Sequence, residues 1–430
     1  MKNLKKVLAV VMAVLMITVV FAACGGNNND DNKLLGMSDS PLPSATITKD
    51  FEIADDFKIG FICLHDETST YDLNFINAAK EVVKALGLKD EQWILKVNVE
   101  EKNPDICYQA AKDLVDQGCD IVFANSFGHE AAMIKAAREF PEVEFCHATG
   151  TKAHTEGLAN YHNAFASIYQ GRYLAGVAAG LKLNEMIADG KITADQAKMG
   201  YVGAYTYAEV VSGYTSFYLG AKSVCPTVTM DVQFTGEWYH PTLEKNAAEA
   251  LIANKCVLIS QHADSMGAPG ACEAAGVPNV SYNGSTYDSC PETFMVSSRI
   301  DWAPYFTYII KCVNKGEAIA ADWCGGIAEG SVVLTGINQD VCAEGTLKTL
   351  QDTVAAFKAG TLNVFDTAKE GFITKDGKAL DSYKADVDDM GDYVADTEVV
   401  KDGYFNESVY RSAPYFDVRI DGITLLNEKF

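Results

Sequence analysis

Short apolar runs alternate with amphipathic stretches along most of this chain. Runs such as KIGFICLH (58–65), DIVFANS (120–126) and CVLISQ (256–261) are continuously apolar, and each precedes a stretch with helical spacing of its apolar residues. Strands that are buried on both faces and separated by helices indicate parallel sheets covered by helices. The pattern restarts after the amphipathic stretch at 166–183. The sequence therefore predicts an α/β fold with two doubly wound lobes, each Rossmann-like in outline.

The start of the chain has a different pattern. A basic beginning at residues 2–6 is followed by an uncharged run at 7–21 and by two alanines before Cys24. The run of about 15 residues is shorter than the roughly 20 that a membrane-spanning helix needs. This arrangement is typical of an export signal, and it resembles a lipoprotein signal, which implies cleavage after residue 23 and a lipid on Cys24. An ordinary signal peptide or an uncleaved anchor is the alternative.

The composition changes this picture in three ways. Residues 24–55 are rich in Gly, Asn, Asp, Ser and Pro, and we expect a flexible tether there. The formal net charge of −23 disfavours binding to nucleic-acid polymers. Twelve cysteines are present, one of them Cys24; the other eleven are scattered without a C-x-x-C pair, and several lie in apolar runs. Buried thiols are therefore favoured over disulfides, zinc or a redox pair.

Polar and aromatic residues follow the predicted strands, where open parallel sheets bind their ligands. The residues at these positions are Tyr71, Asp72, Asn125, Ser126, Phe127, Glu237, Trp238, Tyr239, His240, His262, Asp264, Ser265, Tyr282, Asn283, Arg299, Asp301 and Trp302. Rings with a few hydrogen-bonding groups suit a flat, uncharged or weakly polar small molecule. We expect the two lobes to bring these residues together in one cleft.

The segment QHADS (261–265) raises the alternative of a hydrolase triad. Adjacent side chains of an extended segment point in opposite directions, so His262, Asp264 and Ser265 cannot form a working triad. The segment ADSMG also lacks the glycine before the serine that a nucleophile elbow requires. A zinc site would need a third ligand, for which His240 is the candidate. The glycine motifs of dinucleotide and phosphate loops are absent. Ligand contact is favoured over buried structural groups, and no catalytic residue, metal or cofactor is predicted.

Several longer stretches carry a family resemblance. They are DIVFANSFGHEAAMIKAAREFPEVEFCHATG, YQGRYLAGVAAG, GYVGAY, FYLGAKSVCPTVTM, and GEWYHPTLEKNAAEALI with LISQHADS. Together they resemble the basic membrane protein family, which comprises purine nucleoside-binding lipoproteins of ABC importers, over residues 57 to 362. The resemblance implies a fold like the type I periplasmic binding proteins, with two lobes that close about a hinge. The segments QHADS, SFG and HATG are most similar to the branch associated with adenine or adenosine.

The resemblance also implies a purine held between two aromatic rings. The segment STYDLNF matches the family's first ring segment and assigns the ring to Tyr71, while Trp238 supplies the second ring and Phe127 walls the pocket. Asp72 stands where the family has an amide, which leaves open the base edge that this segment reads. The polar positions that carry over are Asp72, Ser126, His262, Asp264, Ser265, Asn283 and Asp301. The alternatives are a surface ring at Tyr71, a hinge-packing ring at Trp238 and a helix N-cap at Asp301.

The expected organisation has five parts. A signal spans 1–23 and the tether 24–55; the first lobe comprises 56–160 with about 300–330, and the second comprises 161–299 with about 331–362. Residues 363–430 form a C-terminal extension packed on the lobes. Its acidic segment, Asp386 to Asp392, lacks the spacing of a calcium loop, which favours a solvated loop.

The predicted function is that of a lipid-anchored receptor outside the cytoplasm. It captures a purine base or nucleoside, with adenine or adenosine favoured, for the permease and ATPase of an ABC importer. A surface sensor or antigen with the same ligand is one alternative, and an exported nucleoside hydrolase is a weaker one. A flavin or another flat heterocycle is also compatible as the ligand.

Overall fold

The computed structural model describes residues 36–368, 372–387 and 394–428. The expected signal, Cys24 and the acidic residues 388–392 lie outside these ranges. Within them, no helix combines the length and the apolar character that a membrane crossing requires. The eleven described cysteines are free, and ten of them are buried, which confirms the expectation of buried thiols.

The first part of the chain alternates strands and helices as the sequence pattern predicts. Its elements are β1 (Ile59–Ile62), α1 (Thr70–Leu86), β2 (Trp93–Lys96), α2 (Pro104–Asp116), β3 (Ile121–Ala124), α3 (Glu130–Glu139), β4 (Glu144–Ala148), α4 (Ala153–Glu156) and β5 (Tyr161–Ala166). Strands β1 and β3 are buried along their whole length. This burial on both faces explains why their sequences are continuously apolar.

The second part repeats the alternation. Its elements are α5 (Tyr169–Ala188), β6 (Lys198–Gly203), α6 (Ala208–Val224), β7 (Thr229–Phe234), α7 (Pro241–Ala253), β8 (Leu258–His262), α8 (Gly267–Ala275), β9 (Asn279–Tyr282), β10 (Phe294–Ile300), α9 (Ala303–Lys315), β11 (Asp322–Gly325), β12 (Val332–Leu334) and α10 (Thr346–Lys358). The C-terminal extension adds short strands: β13 (Lys384–Ala385), β14 (Thr397–Glu398), β15 (Val400–Lys401), β16 (Tyr404–Phe405) and β17 (Ile423–Leu425).

The long strands form two sheets. The first has the order β11-β5-β4-β3-β1-β2, and all of its pairs are parallel. The second has the order β12-β10-β9-β8-β6-β7-β17, in which only the β10–β12 pair is antiparallel. The chain passes between the sheets three times: after β5, after β10 and after β11. This architecture confirms the predicted α/β fold of two lobes joined by a hinge.

Helix α1 illustrates how the sequence produces these elements. The Ser69 hydroxyl accepts a hydrogen bond from the backbone N–H of Asp72 and so caps the first turn. Gly87 ends the helix in the left-handed conformation, at φ 68°. The buried face packs on the first sheet, where the Phe75 and Phe123 ring centroids lie 5.6 Å apart, and the Phe75 ring also stacks on Trp302, just before α9, at 4.3 Å. The caps fix where the helix begins, and its first turn therefore holds Tyr71 and Asp72 beside the end of β1.

The structure differs from the expected organisation in two places: the end of the first lobe and the segment 24–55. Strand β5 pairs with β4 and β11 and so belongs to the first sheet, which moves the end of that lobe from 160 to beyond 166. The segment 24–55, expected as a flexible tether, is packed in its described part. Leu42 and Phe51 are buried there, and the backbone N–H of Leu334 donates to the carbonyl of Leu42. Burial of these two apolar side chains favours an ordered segment.

The C-terminal extension packs against both lobes through its described residues. Strand β17 joins the edge of the second sheet beside β7. The backbone N–H of Ser412 donates to Asp322 Oδ2 in the first sheet, at 2.7 Å. The Phe365 and Phe416 rings stack with centroids 4.2 Å apart and form part of the main core. The extension is therefore fastened to the body by backbone pairing, a charged acceptor and aromatic packing.

Helices α5 and α6 approach each other unusually closely. A Cβ atom on Gly176 would overlap the carbonyl oxygen of Phe217, and one on Gly220 would overlap that of Tyr173. These overlaps involve backbone atoms, which cannot move aside without shifting a helix. The contact between the two helices therefore depends on glycine at both positions.

We predict that Gly220→Ala lowers the free energy of unfolding by about 1–3 kcal/mol, the usual cost of overpacking. Gly270→Ala is the matched control, because Gly270 lies within α8 and a Cβ there would meet no atom within 4 Å. The control is expected to be neutral or stabilising by about 0.5–1 kcal/mol, because alanine is the better helix former. Urea unfolding measures both variants. Equal effects of the two substitutions would contradict the close helix contact.

Candidate functional site

A cavity lies between the two sheets at the carboxyl ends of their parallel strands. It has about 410 Å³ of space between atoms, including the part open to solvent. We call it the inner cavity. The first lobe lines it with Leu64, Tyr71, Asp72, Ser126, Phe127 and Thr149, and the second with Glu209, Trp238, His262, Asp264 and Tyr282. It occupies the position that the strand-end rule indicates for open α/β sheets.

Seven of the ten predicted ligand residues line the inner cavity. They are Tyr71, Asp72, Ser126, Phe127, Trp238, His262 and Asp264. Four lining residues are absent from the ten: Leu64, Thr149, Glu209 and Tyr282, of which Tyr282 is expected in the cleft as a strand-end residue. Tyr282 and Leu64 end predicted strand segments, and Thr149 lies in the HATG segment. Glu209 lies in the first turn of α6, directly after β6, and the strand-end rule applied to β6 would have found it.

Aromatic rings reach the cavity from both lobes. The Tyr71 hydroxyl donates to the backbone carbonyl of Asn125, at 2.7 Å, and its ring meets Phe75 edge-on. Burial raises the pKa of Tyr71 well above its usual range, so this hydroxyl stays protonated and remains a donor. Trp238 packs edge-on against Tyr205, with centroids 5.0 Å apart. Both rings are thus held by protein contacts while they line the cavity.

Asp72 has one carboxylate oxygen without a protein partner. Its Oδ1 accepts from the backbone N–H of His65, at 3.1 Å, and from Asn125 Nδ2, at 2.7 Å. Its Oδ2 is buried and has no hydrogen-bond partner among the residues that the structure describes. A buried acceptor left unpaired costs free energy that a ligand donor can recover. Asp72 is therefore positioned to accept a hydrogen bond from a bound molecule.

His262 lines the inner cavity and contacts Glu209, which also lines it. Burial lowers the pKa of His262, partly offset by the Glu209 carboxylate, so the imidazole is neutral at pH 7. Its Nε2 lies 3.3 Å from Glu209 Oε1 and its Nδ1 lies 3.4 Å from the Tyr201 hydroxyl. A neutral imidazole can donate to Glu209 while it accepts from Tyr201. This arrangement uses both ring nitrogens and orients Glu209 towards the cavity.

Asp264 is a buried acid held by its backbone. Its N–H donates to the Trp238 carbonyl, at 3.0 Å, and its own carbonyl accepts from the Thr70 N–H, at 2.9 Å. Burial, with the nearby carboxylates of Glu244, Asp72 and Glu209, raises the pKa of Asp264 well above its usual range. A protonated Asp264 can donate as well as accept a hydrogen bond.

Three predicted residues lie outside the cavity lining. The Ser265 hydroxyl accepts from the backbone N–H of Gly267, at 3.0 Å, and so supports the start of α8. Asp301 Oδ1 accepts from the backbone N–H of Ala303, the first residue of α9, at 3.0 Å, whereas the N-cap position of that helix is occupied by Trp302. Asn283 lies behind Asp264, where its amide partly opposes the rise in the pKa of that acid. Within the described part of the chain, neither buried amide atom of Asn283 has a partner of hydrogen-bond geometry.

The lobes touch across the mouth of the inner cavity. Thr70 in the first lobe donates through both its N–H and its hydroxyl to the Asp264 carbonyl in the second, at 2.9 and 3.2 Å. Lys102 and Glu237 form an ion pair across the same gap, at 3.6 Å. These contacts close the lobes around the lining residues. Such contacts would break if the lobes opened to admit a ligand.

The cavity chemistry is that of binding. His262, Asp264 and Ser265 do not converge, since the Ser265 hydroxyl is engaged at the start of α8. Across the described residues, no group of three or more His, Cys, Asp or Glu side chains is arranged to hold a metal ion. Rings, an unpaired carboxylate oxygen and a buried acid can stack on a flat molecule and accept its N–H or O–H groups.

A solved structure of a solute-binding protein has a similar fold. The solute-binding protein of an ABC transporter system from Conexibacter woesei has a TM-score of 0.58 and 18% sequence identity. The match covers 71% of this chain and 98% of that protein. It supports the two-lobed fold.

Two relatives are more similar to this chain in sequence. A purine-binding protein of Brucella abortus is 32% identical over 314 residues, which cover 72% of this chain and 83% of the relative. A putative ABC transporter glucose-binding protein of Haloferax volcanii is 29% identical over 276 residues, which cover 64% of this chain and 66% of that protein.

The family model described as ABC transporter substrate-binding protein PnrA-like matches residues 62–356, which include all eleven residues that line the inner cavity. Members of this family are substrate-binding proteins and not enzymes. The chain therefore belongs to the Bmp family of PnrA-like substrate-binding proteins of ABC transporters.

Proposed function

We propose that the chain captures a purine base or nucleoside, with adenine or adenosine favoured, in the inner cavity between its two lobes. The observation that carries this proposal is the combination of aromatic rings from both lobes with the unpartnered Asp72 oxygen. A purine offers a face to each ring, and each stacked base contributes about 1–3 kcal/mol. The exocyclic amine of adenine is a donor that suits Asp72. The Brucella relative, which is named for purine binding, supports the same class of ligand.

The carboxyl groups of the cavity divide the recognition between base and sugar. Asp72 Oδ2 takes a donor of the base, and Glu209 and Asp264 take donors of the base edge or the ribose hydroxyls. A site whose buried polar groups need partners discriminates strongly against analogues that leave them unpaired. The proposal therefore includes selectivity among heterocycles of similar size, including flavins.

A two-lobed receptor of this kind works by closure. We propose that the first lobe comprises residues 56–166 with about 300–330, and the second about 167–299 with 331–362, with the extension packed on both. The contacts of Thr70 and Lys102 with the opposite lobe hold the closed state. Ligand binding favours closure because both ring faces and the acceptors are satisfied only when the lobes meet.

A substrate-binding protein of an ABC transporter works outside the cytoplasm, and the transporter supplies its permease and ATPase partners. We propose further that a lipid on Cys24 anchors this chain to the membrane. Incorporation of a labelled fatty acid is expected in cells that express the full chain and is expected to be lost in Cys24→Ser. Equal labelling of the two chains would rule out Cys24 as the lipid site.

The importer role and the sensor role differ in what happens after capture. Cells that lack the protein are expected to lose high-affinity uptake of labelled adenine or adenosine. Undiminished uptake, with purine binding intact in the purified protein, would favour the sensor. Turnover of adenosine to adenine and ribose by the purified protein would instead favour a hydrolase.

We predict that adenine or adenosine raises the melting temperature of the protein, whereas D-glucose and riboflavin do not. Binding to the folded state alone stabilises it by mass action, which a thermal-shift assay detects. D-Glucose is included because the Haloferax relative is named for it. The absence of a shift with every purine base and nucleoside would refute the proposed ligand class. A shift with D-glucose alone would replace it with a sugar.

Trp238→Ala is expected to weaken purine binding at least tenfold, because the variant loses one stacking face, a loss of about 1–3 kcal/mol per base. Trp93→Ala is the matched control, since Trp93 lies in the edge strand β2 and does not line the cavity. Isothermal titration calorimetry compares the affinities. Unchanged affinity in Trp238→Ala would remove this ring from the site.

Asp264 gives a prediction about pH. Its pKa in the folded state is raised, above an unfolded value of about 3.9. The favourable contribution of its retained proton is fully present below the unfolded pKa and is lost as pH rises through the folded pKa. In the ligand-free protein, Asp264→Asn should therefore gain stability over the wild type progressively from about pH 4 upward. Asp340→Asn, at an exposed position, is the control for the substitution itself.

Urea unfolding at a series of pH values between 4 and 8 measures this difference. The same Asp264→Asn variant is expected to bind adenosine less tightly. The carboxyl group of Asp264 can donate a hydrogen bond when it is protonated and can accept as an anion when it is not, whereas an amide has no anionic form. A stability difference that does not change with pH would show that the acid is not buried in the ligand-free state.

A further inference from the structure

A second, larger cavity adjoins the inner cavity, and we call it the outer chamber. Its lining comes from three parts of the chain: positions within 127–151 in the first lobe, residues 207–209 at the start of α6, and positions within 383–417 of the C-terminal extension. It has about 1,130 Å³ of space between atoms, including the part open to solvent, against about 410 Å³ for the inner cavity. The outer chamber has room for a group larger than a purine base.

The two cavities share part of their wall. Phe127, Thr149 and Glu209 line both of them. A ligand whose base lies in the inner cavity would reach the outer chamber by passing these three side chains. Phe127 is 44% exposed in the described structure, so its ring is open to contact on this path.

The C-terminal extension, which lines the outer side of the chamber, is hydrogen-bonded to both lobes. The extension is held to the first sheet through the hydrogen bond from Ser412 to Asp322, at 2.7 Å. It is held to α6 of the second lobe through the Ser212 hydroxyl, which donates to the buried carboxylate of Glu407 at 2.6 Å. The family match ends at residue 356, before the extension begins. Part of the chamber wall is thus formed by residues that lie beyond the range matched by the family model.

The chemistry of the chamber limits what it can hold. Aromatic rings face it from the lobes at Phe127 and Tyr207, and from the extension at Tyr383 and Tyr415. The extension also contributes both signs of charge: two basic side chains, Lys384 and Arg411, and two acidic ones, Asp386 and Asp417. Glu209 adds a third carboxyl group from α6. Rings and charges of both signs suit a neutral or zwitterionic group, whereas three carboxyl groups oppose a dianion.

We propose that the receptor takes a purine nucleoside that carries a further neutral or zwitterionic substituent. The base occupies the inner cavity and the substituent occupies the outer chamber, against the C-terminal extension. This inference rests on the proposed purine site and names the ligand class more narrowly. The extension gains a role in it as a specificity-determining wall.

Calorimetric titration of the chain from residue 24 onward tests the ligand class with three probes. Adenosine has no substituent, S-adenosylhomocysteine has a zwitterionic one at the 5′ position, and adenosine 5′-monophosphate has a dianionic one. We expect S-adenosylhomocysteine to bind at least tenfold more tightly than adenosine, and the monophosphate to bind no more tightly than adenosine. Equal affinity of adenosine and S-adenosylhomocysteine, or a preference for the monophosphate, would overturn the proposal.

Filling the chamber tests the location. Ala395 lines the outer chamber and is exposed, so Ala395→Trp is expected to reduce the tenfold preference for S-adenosylhomocysteine to less than threefold. Ala379→Trp is the matched control, since Ala379 is an exposed alanine of the same extension outside the chamber lining. The control is expected to keep the full preference. Ala395→Leu should give an intermediate preference and keeps the test decisive if the tryptophan variant does not fold.

The possible outcomes separate the two proposals. Loss of the preference in Ala395→Trp but not in Ala379→Trp supports the outer chamber. A full preference in both variants overturns it while the purine site stands. If none of the three probes, nor adenine, binds the wild-type chain, the purine site and the outer chamber are refuted together.

Discussion

The parallel pairing of the strands is the constraint on which the binding site depends. In the second sheet, β8 lies between β6 and β9, and the pairing of Gly203 with His262 brings the ends of these strands to one edge. The segments that follow β6 and β8 carry Glu209 and Asp264 into the inner cavity, and Tyr282 reaches it from the last position of β9. Parallel strands place every such segment at the same edge, so polar and aromatic side chains come together there without any local sequence motif.

Repulsion between the acids that line the inner cavity raises the free energy of the site. Asp72, Glu209 and Asp264 line one cavity, and burial raises the pKa of Asp264 because its charged form loses solvation beside the other carboxylates. Arg172 lies buried beneath this region, hydrogen-bonded to the Ser260 hydroxyl at 2.6 Å and 5.2 Å from the centre of the Tyr282 ring. A ligand that brings N–H and O–H donors relieves the repulsion between the acids, and this relief is a source of its binding energy.

The C-terminal extension changes what a two-lobed receptor can hold. Strand β17 fastens it to the edge of the second sheet, and Ser412 fastens it to the first. Because it is held at both lobes, it must accommodate their relative motion or limit it. Its side chains form the outer wall of a chamber that the lobes alone would leave open to solvent.

The sequence by itself determined the α/β fold and most of the cavity, because burial on both faces forces parallel strands to be apolar and ligand residues to follow their ends. It predicted Tyr71, Trp238 and Asp264 as site residues, and all three line the inner cavity. Only the tertiary structure decided that β5 pairs within the first sheet, that Ser265 and Asp301 support helix starts, and that Glu209 faces the cavity. These outcomes depend on which groups meet through space, and hydrogen-bond partners distant in sequence leave no periodic signal along the chain.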